Sequence, residues 1–285
     1  MWPTEWRSRG RSGWSAAGPA RWSATLRDKW PKRSRRAVVL RVGCNAVERW
    51  ARDLRGWSCE ASAEMTAEGD RVASLALAAD MALRLGAESA VGRVIAVLES
   101  AWLPVMLVPL GPELWSRSHA EQLLRHRLGE IYGLDEQREV RMDFRAGEGQ
   151  ALGYGLSLPF KQALQAAAVD AGAELASLQP ALSWGCGVMR QRGDWSDAGQ
   201  EGWWVWREQD RSLVARLHRG RLTSLNAGAP VMASLDEAKQ YVARESLRLG
   251  VLPLEAPSVV LAGWPSVEVA DELGEPGEPG DGGGS

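Results

Sequence analysis

Cysteine, histidine, tyrosine and phenylalanine are scarce in this 285-residue chain, with three Cys, three His, three Tyr and two Phe. Cys44, Cys59 and Cys186 stand far apart and form no CxxC. They offer no disulfide framework, which points to a reducing compartment. The histidines are too few for ordinary metal chemistry. His119 and His126 share one helix face, but no Cys, Asp or third His lies at ligand spacing, so no metal site is expected. His218 lies among Arg216, Arg219 and Arg221 with no motif around it and is no credible general base. Long apolar runs are missing too. The best stretch, 94–110, is broken by Glu99 and Pro104 and falls short of a membrane span. The first residues carry no apolar signal segment, so the expected address is the cytoplasm. No GxxxxGK[ST], HExxH or GxSxG occurs, and no catalytic residue is singled out.

What is present is the balance of a globular protein, 45% hydrophobic and 25% charged. A net charge of −2 gives no footprint for nucleic acid. The mean hides an asymmetry, since residues 1–36 hold ten Lys/Arg against Glu5 and Asp28. Fifteen Trp is the other departure, open to a packing reading or to coding bias. Trp6, Trp14, Trp22 and Trp30 recur every eight residues, which matches neither helix nor strand. Residues 1–35, nearly without aliphatics, are expected to form a disordered basic tail. Such a tail either stays free or contacts an anionic membrane surface. Residues 267–285 are expected to form a flexible acidic Gly/Pro tail.

Between the tails, strands and helices alternate. Strands are expected at 36–43, 56–65, 92–100, 104–110, 139–145, 150–158, 173–179 and 257–263. Helices are expected at 70–85, from Ser118 to Gly133, from Pro159, at 180–191 and from Ser234 to about Leu249. Ser118 with Glu121, and Ser234 with Glu237, read as capping boxes. "GYG" at 153–155 lies inside a strand and reads as a bulge or a close-packing site. The segment 202–228 reads as three consecutive strands, on which Arg207, Arg211, Arg216, Arg219 and Arg221 would give one positive face or keep an edge sheet soluble. The pattern is α/β, two halves of mixed sheet flanked by helices, each opening with antiparallel strands. The expected division is a first half at 36–191, carrying an inserted β-α-β piece at about 104–145, and a smaller second half at 192–266.

"VIAVLESAWLPVMLVPLGPELWSRSHAEQLLRHRLGEIYG" (94–133) resembles the actin-like PilM and GspL-type assembly proteins of type IV pilus and type II secretion systems. The likeness rests on Leu107–Val108–Pro109–Leu110, on His126–Arg127–Leu128 and on Ile131–Tyr132–Gly133. The rhythm of 204–225 matches the hairpin that opens the second half in that group, and 158–180 matches the piece closing the first. Loose patterns of this kind run over roughly 36–263.

The resemblance implies an actin-like fold of two RNase H-like halves with a nucleotide between them. Such a site needs an Asp-Gly on each opening strand pair and a Gly-Gly adenosine turn. Here the three places read Arg41–Val42–Gly43–Cys44–Asn45, Trp206–Arg207–Glu208–Gln209–Asp210 and Ala262–Gly263–Trp264. Gly43, Asp210 and Gly263 are what remains of a cofactor site. With the acids and glycines depleted, neither hydrolysis nor a bound cofactor is expected, and ATP is disfavoured. The resemblance implies instead a scaffold at the cytoplasmic face of the inner membrane. In that group a groove of the first half takes the N-terminal peptide of a bitopic membrane partner. Residues 104–145 would help form the groove, with Trp102 and Trp115 as candidate anchors. Two alternatives stay open. One is an active actin-like ATPase with Asp210 or Glu208 on the metal side; the other is a peripheral membrane protein using the basic tail.

Overall fold

The structure, a computed structural model, describes residues 36–53, 56–66, 69–85, 91–109, 117–132, 138–147, 149–192, 202–219, 221–251, 258–264 and 267–270. The tail at 1–35 therefore lies outside the described residues.

The first half opens with β1 (Arg36–Val42), β2 (Ala46–Asp53) and β3 (Gly56–Glu64), an antiparallel run. Helix α1 (Arg71–Leu85) then leads to β4 (Val91–Leu98), which pairs parallel with β1. Strand β8 (Glu174–Pro180) adds parallel to β4, giving the order β3-β2-β1-β4-β8. Strand β4 is apolar on both sides because both faces are covered. Val38, Leu40 and Val42 point to α1 and to α3 (Leu158–Asp170), whereas Val39 points the other way, as alternation demands.

Strand β2 has no counterpart among the expected elements. One of its inward positions is Arg49, fully buried, donating to Leu83 O at 2.8 Å and paired with Glu60 at 3.1 Å. A charge on the inward side hides the two-residue period that would have marked the strand.

The inserted piece is a sheet of β5 (Val105–Pro109), β6 (Arg138–Gly147) and β7 (Gln150–Ser157) in the order β5-β7-β6. It reaches further than 145, since β7 is its central strand. Helix α2 (Arg117–Tyr132) packs on it through Ala120, Leu124 and Leu128. A Cβ on Gly153 would meet Leu124 at 2.5 Å and one on Gly155 would meet Leu128 at 2.7 Å, so "GYG" is a close-packing site. The helix begins at Arg117, which places Ser118 in its first turn rather than at the extended cap position and removes the first expected capping box.

Helix α4 (Ala181–Arg192) joins the halves. The second half repeats the first, with β9 (Gly202–Arg207), β10 (Ser212–His218) and β11 (Arg221–Ala229) antiparallel. Helix α5 (Leu235–Arg248) and β12 (Ser258–Gly263), parallel to β9, follow. Ser234 caps α5 by accepting from Glu237 N at 3.2 Å, while the Glu237 carboxylate accepts from Ala233 N at 2.8 Å. Strand β13 (Val267–Ala270) pairs antiparallel with β12, so the second half runs past 266 into the stretch read as tail. Asp210 pairs with Arg211 and offsets its charge within the expected positive face, while Arg207 donates to Ala233 O.

Alternation within "GWWVWR" decides how the halves meet. Trp203 and Val205 face α5. Trp204 and Trp206 face the first half and share one core with Val39, Ile95, Val97 and Leu182. Gly185 of α4 lies against them, since a Cβ there would stand 2.5 Å from Trp206 and 2.6 Å from Trp204. At the rim Trp264 packs on Trp50, Trp57 and Trp184 with centroids 5.6, 6.3 and 5.5 Å apart. Six of the fifteen Trp thus have a packing role where the two sheets meet.

Candidate functional site

Three chain segments converge at the carboxyl ends of the paired parallel strands, where open α/β sheets place their sites. The β1–β2 turn contributes Gly43, Cys44 and Asn45, and Gly43 N donates to Ala46 O at 3.0 Å. The β9–β10 turn contributes Glu208, Gln209, Asp210 and Arg211, with Glu208 N donating to Arg211 O at 2.9 Å. The segment after β4 contributes Glu99, Ser100 and Trp102, anchored by Glu99 N donating to Val42 O at 3.0 Å.

The halves exchange hydrogen bonds across this cleft. Glu99 of the first half accepts from Gln209 N at 3.0 Å. Glu208 of the second accepts from Ser100 N at 2.8 Å and from the Ser100 hydroxyl. The Gln209 carboxamide reaches into the first turn, where its Oε1 accepts from Asn45 N at 3.0 Å. A Cβ on Gly43 would stand 2.2 Å from that carboxamide, the flexible end of the Gln209 side chain, which would have to move aside.

Glu99 and Glu208 are 1% and 3% exposed, and one oxygen of each and one of Asp210 lie within 4.8 Å of one another. Arg41 holds Glu99 through Nε at 2.8 Å and a terminal nitrogen at 2.6 Å, while also contacting Glu48 at 3.2 Å. Burial raises the Glu99 carboxyl above its ordinary range, with Arg41 opposing the shift. Burial, and then the Glu99 charge, push Glu208 up to about 8. Asp210 is instead held below the usual range by its hydrogen bonds to Arg211. Burial raises the Cys44 thiol to about 11.

Gly43 and Asp210 are both brought to this cleft. Gly263 lies beside Arg207 at the end of β12, its absent Cβ 3.2 Å from Arg207 Nε. Trp264 turns into the tryptophan cluster rather than towards a ligand. Trp102 lines the cleft wall, where its Nε1 donates to Gly43 O at 2.7 Å, one face meets Phe160 at 4.7 Å and Arg71 lies 4.5 Å from the ring. Trp115 lies outside the described residues. Glu99, Ser100, Arg41 and the Gln209 plug were not singled out in the sequence. One signal was available, an acid directly ending the buried strand "VIAVL".

In this arrangement the groups that would meet a nucleotide and its metal have other partners. Asn45 N–H, an amide that the turn would offer to a phosphate, is taken by Gln209. The two buried carboxylates are already engaged by Arg41, Gln209 and Ser100.

A separate concavity of about 270 Å³ lies between the inserted sheet, α3 and β8. Glu139, Arg141 and Tyr154 line one side, and Lys161, Leu175 and Leu178 the other. Glu139 pairs with Arg141 and, at 2.7 Å, with Lys161. Strand β8 is the outer strand of its sheet. Trp102 is not among the lining residues.

No protein-family model matches the chain, and no curated protein matches it. Solved structures do. A Bacteroides thetaiotaomicron protein of unknown function with an actin-like ATPase fold superposes with a TM-score of 0.50 at 11% identity, covering 77% of this chain and 79% of that one. The PilM–PilN type IV pilus biogenesis complex gives 0.46 at 14% identity, over 74% of this chain and 65% of that one. The cytoplasmic domain of EpsL, an inner-membrane component of the type II secretion system of Vibrio cholerae, gives 0.38 at 14% identity, over 66% and 71%. Two α/β halves of matching strand order, meeting at a cleft, together with the first of these superpositions, establish that the chain has an actin-like fold.

Proposed function

We propose that this protein is a non-catalytic scaffold that keeps the actin-like fold and has given up nucleotide chemistry. One observation carries the reading: the Gln209 side chain bonded to Asn45 N–H inside the β1–β2 turn. A titration with MgATP tests it. No binding is expected up to millimolar concentrations, and micromolar affinity or turnover that Asp210→Ala abolishes would overturn the reading.

The partner we assign is an extended peptide from the N-terminus of a bitopic inner-membrane protein, in a type IV pilus or type II secretion-like assembly platform. The sequence resemblance supports this class of system. The groove supports the mode of binding, because β8 presents an outer strand edge beside a mixed apolar and charged lining. A peptide strand laid along that edge would gain main-chain hydrogen bonds, with side chains reading the pockets. The working location is then the cytoplasmic face of the inner membrane. Among the described residues no helix is long and apolar enough to cross a membrane. Titration with the N-terminal peptide of a single-span protein encoded beside this gene checks the partner. Loss of binding in Lys161→Glu with an unchanged fold is expected; equal binding by that variant sinks the groove assignment.

The close approach of Glu99, Glu208 and Asp210 favours a second reading, an actin-like ATPase that opens to admit nucleotide and metal. The same MgATP titration separates the two.

A further inference from the structure

Helices α1 and α3 lie side by side on one face of the first sheet, and each leads into a parallel strand, β4 or β8. Their last turns therefore meet at the edge where those strands start. There Arg84 bonds Asp80 at 2.7 Å and feels the charge of Asp170. The outer side of this helix pair is apolar. Leu77, Met81 and Leu85 follow at steps of four along α1 and are 63%, 44% and 64% exposed. Val169, in the last turn of α3, is 69% exposed. Four large apolar side chains on two adjoining helices exceed the scattered exposure of an ordinary surface and mark a contact face.

The point where the chain enters the sheet indicates what covers that face. Arg36, the first described residue, is aligned with Val91 at the start of β4, and only five residues separate Val91 from Leu85. The preceding segment thus reaches the sheet at the edge where Leu85 and Val169 lie. Trp30 stands six residues before Arg36, a reach of up to about 20 Å. Trp22, Leu26 and Trp30 repeat the step of four seen in Leu77, Met81 and Leu85, the step that keeps side chains on one helix face. Charge points the same way. Asp80 and Asp170 outnumber Arg84 at this end of the helix pair, whereas 21–35 holds six Lys/Arg against Asp28. That acid excess repels an anionic bilayer and attracts a basic segment.

We propose that residues 22–30 dock on the outer face of α1 and α3, Trp30 against Leu85 and Val169 and Trp22 towards Leu77. The direction follows from the connection, since the segment must pass Leu85 last to arrive at Arg36. The contact is independent of the cleft between the halves and of the peptide groove.

Trypsin cutting of the full chain at Arg27 and Lys29, read by mass spectrometry, tests it. A docked segment is cut only when it opens, so the rate at each site reports the open fraction. The double variant Leu77→Ser, Met81→Ser should be cut at least about tenfold faster at both sites, from the loss of two apolar contacts. Trp22→Ser, which alters no residue of the two halves, should show a rise of the same kind, and it decides alone if the double variant does not fold. Unchanged rates overturn the docking. Protection that falls on diluting the protein assigns the face to a second copy and also overturns it. Vesicles of phosphatidylglycerol separate the remaining reading. The double variant should bind them no less than wild type, because its basic segment is freed; weaker binding would assign the face to a membrane instead.

Discussion

Gln209 Oε1 lies 3.0 Å from the backbone nitrogen of Asn45, a residue 164 positions earlier in the chain. That contact closes the turn where an actin-like protein would offer amides to a phosphate. It also makes Gly43 a fitted position, because a methyl group there would overlap the carboxamide at 2.2 Å.

Gly43→Ala should therefore push the carboxamide aside and cost about 1 kcal/mol, the loss of its hydrogen bond to Asn45. Gln209→Ala removes the obstacle and leaves the exposed Asn45 N–H to water, a loss of at most about 1 kcal/mol. We expect the double variant to be less destabilised than the two single losses added together. Urea unfolding of the four proteins gives the coupling. Strict additivity would show that the carboxamide does not fill the turn.

Arg41→Ala should cost about 3–5 kcal/mol near pH 8, because it strands the Glu99 carboxylate in a buried site. The penalty should shrink as pH falls, because burial raises the Glu99 carboxyl and the protonated acid no longer needs the cation. A penalty independent of pH would mean that Glu99 is solvated.

Trp264→Ala should lower stability by about 3 kcal/mol, the low end for Trp→Ala, since the indole is only half-buried. It removes the ring that contacts Trp50, Trp57 and Trp184. The remaining indoles gain water, so Trp emission should shift to the red. An unshifted spectrum would place those rings outside a common cluster.

Cys44 should alkylate slowly at pH 8, where a thiol titrating at about 11 is only ~0.1% thiolate. Glu208→Gln should keep it slow, whereas Gln209→Ala should speed it by opening the turn in which the thiol lies. Mass spectrometry of the Cys44 peptide reads the rate, and an equally slow Gln209→Ala would mean that Gln209 does not guard the thiol.

Particular elements show how far the sequence could be read. The strand rhythm of 202–228, the cap at Ser234, the Pro159 helix start and the close packing of Gly153 and Gly155 all follow from local chemistry, and each is where the residues placed it. Strand β2 was illegible because a buried arginine occupies an inward position, and β13 because four residues are too few to stand out beside the acidic Gly/Pro stretch that follows. In the site, Asp210 drew notice as the last remaining acid, yet it lies in an exposed turn paired with Arg211. The buried acids are Glu208 and Glu99, and Glu99 had been taken only as an interruption of an apolar run.

What the sequence determined by itself was the periodicity, hence two α/β halves, and the depletion of the residues a phosphate site requires. Both are local properties, carried by neighbours along the chain. Only the tertiary structure decided which side chains meet in the cleft between the halves. Arg41, Glu99 and Glu208 come from three strand ends up to 167 positions apart, and Gln209 meets Asn45 across the same gap between halves. No pattern along the chain encodes such a meeting, because it depends on how two sheets dock through Trp204, Trp206 and Gly185, and docking is set by the shapes of surfaces rather than by residue spacing.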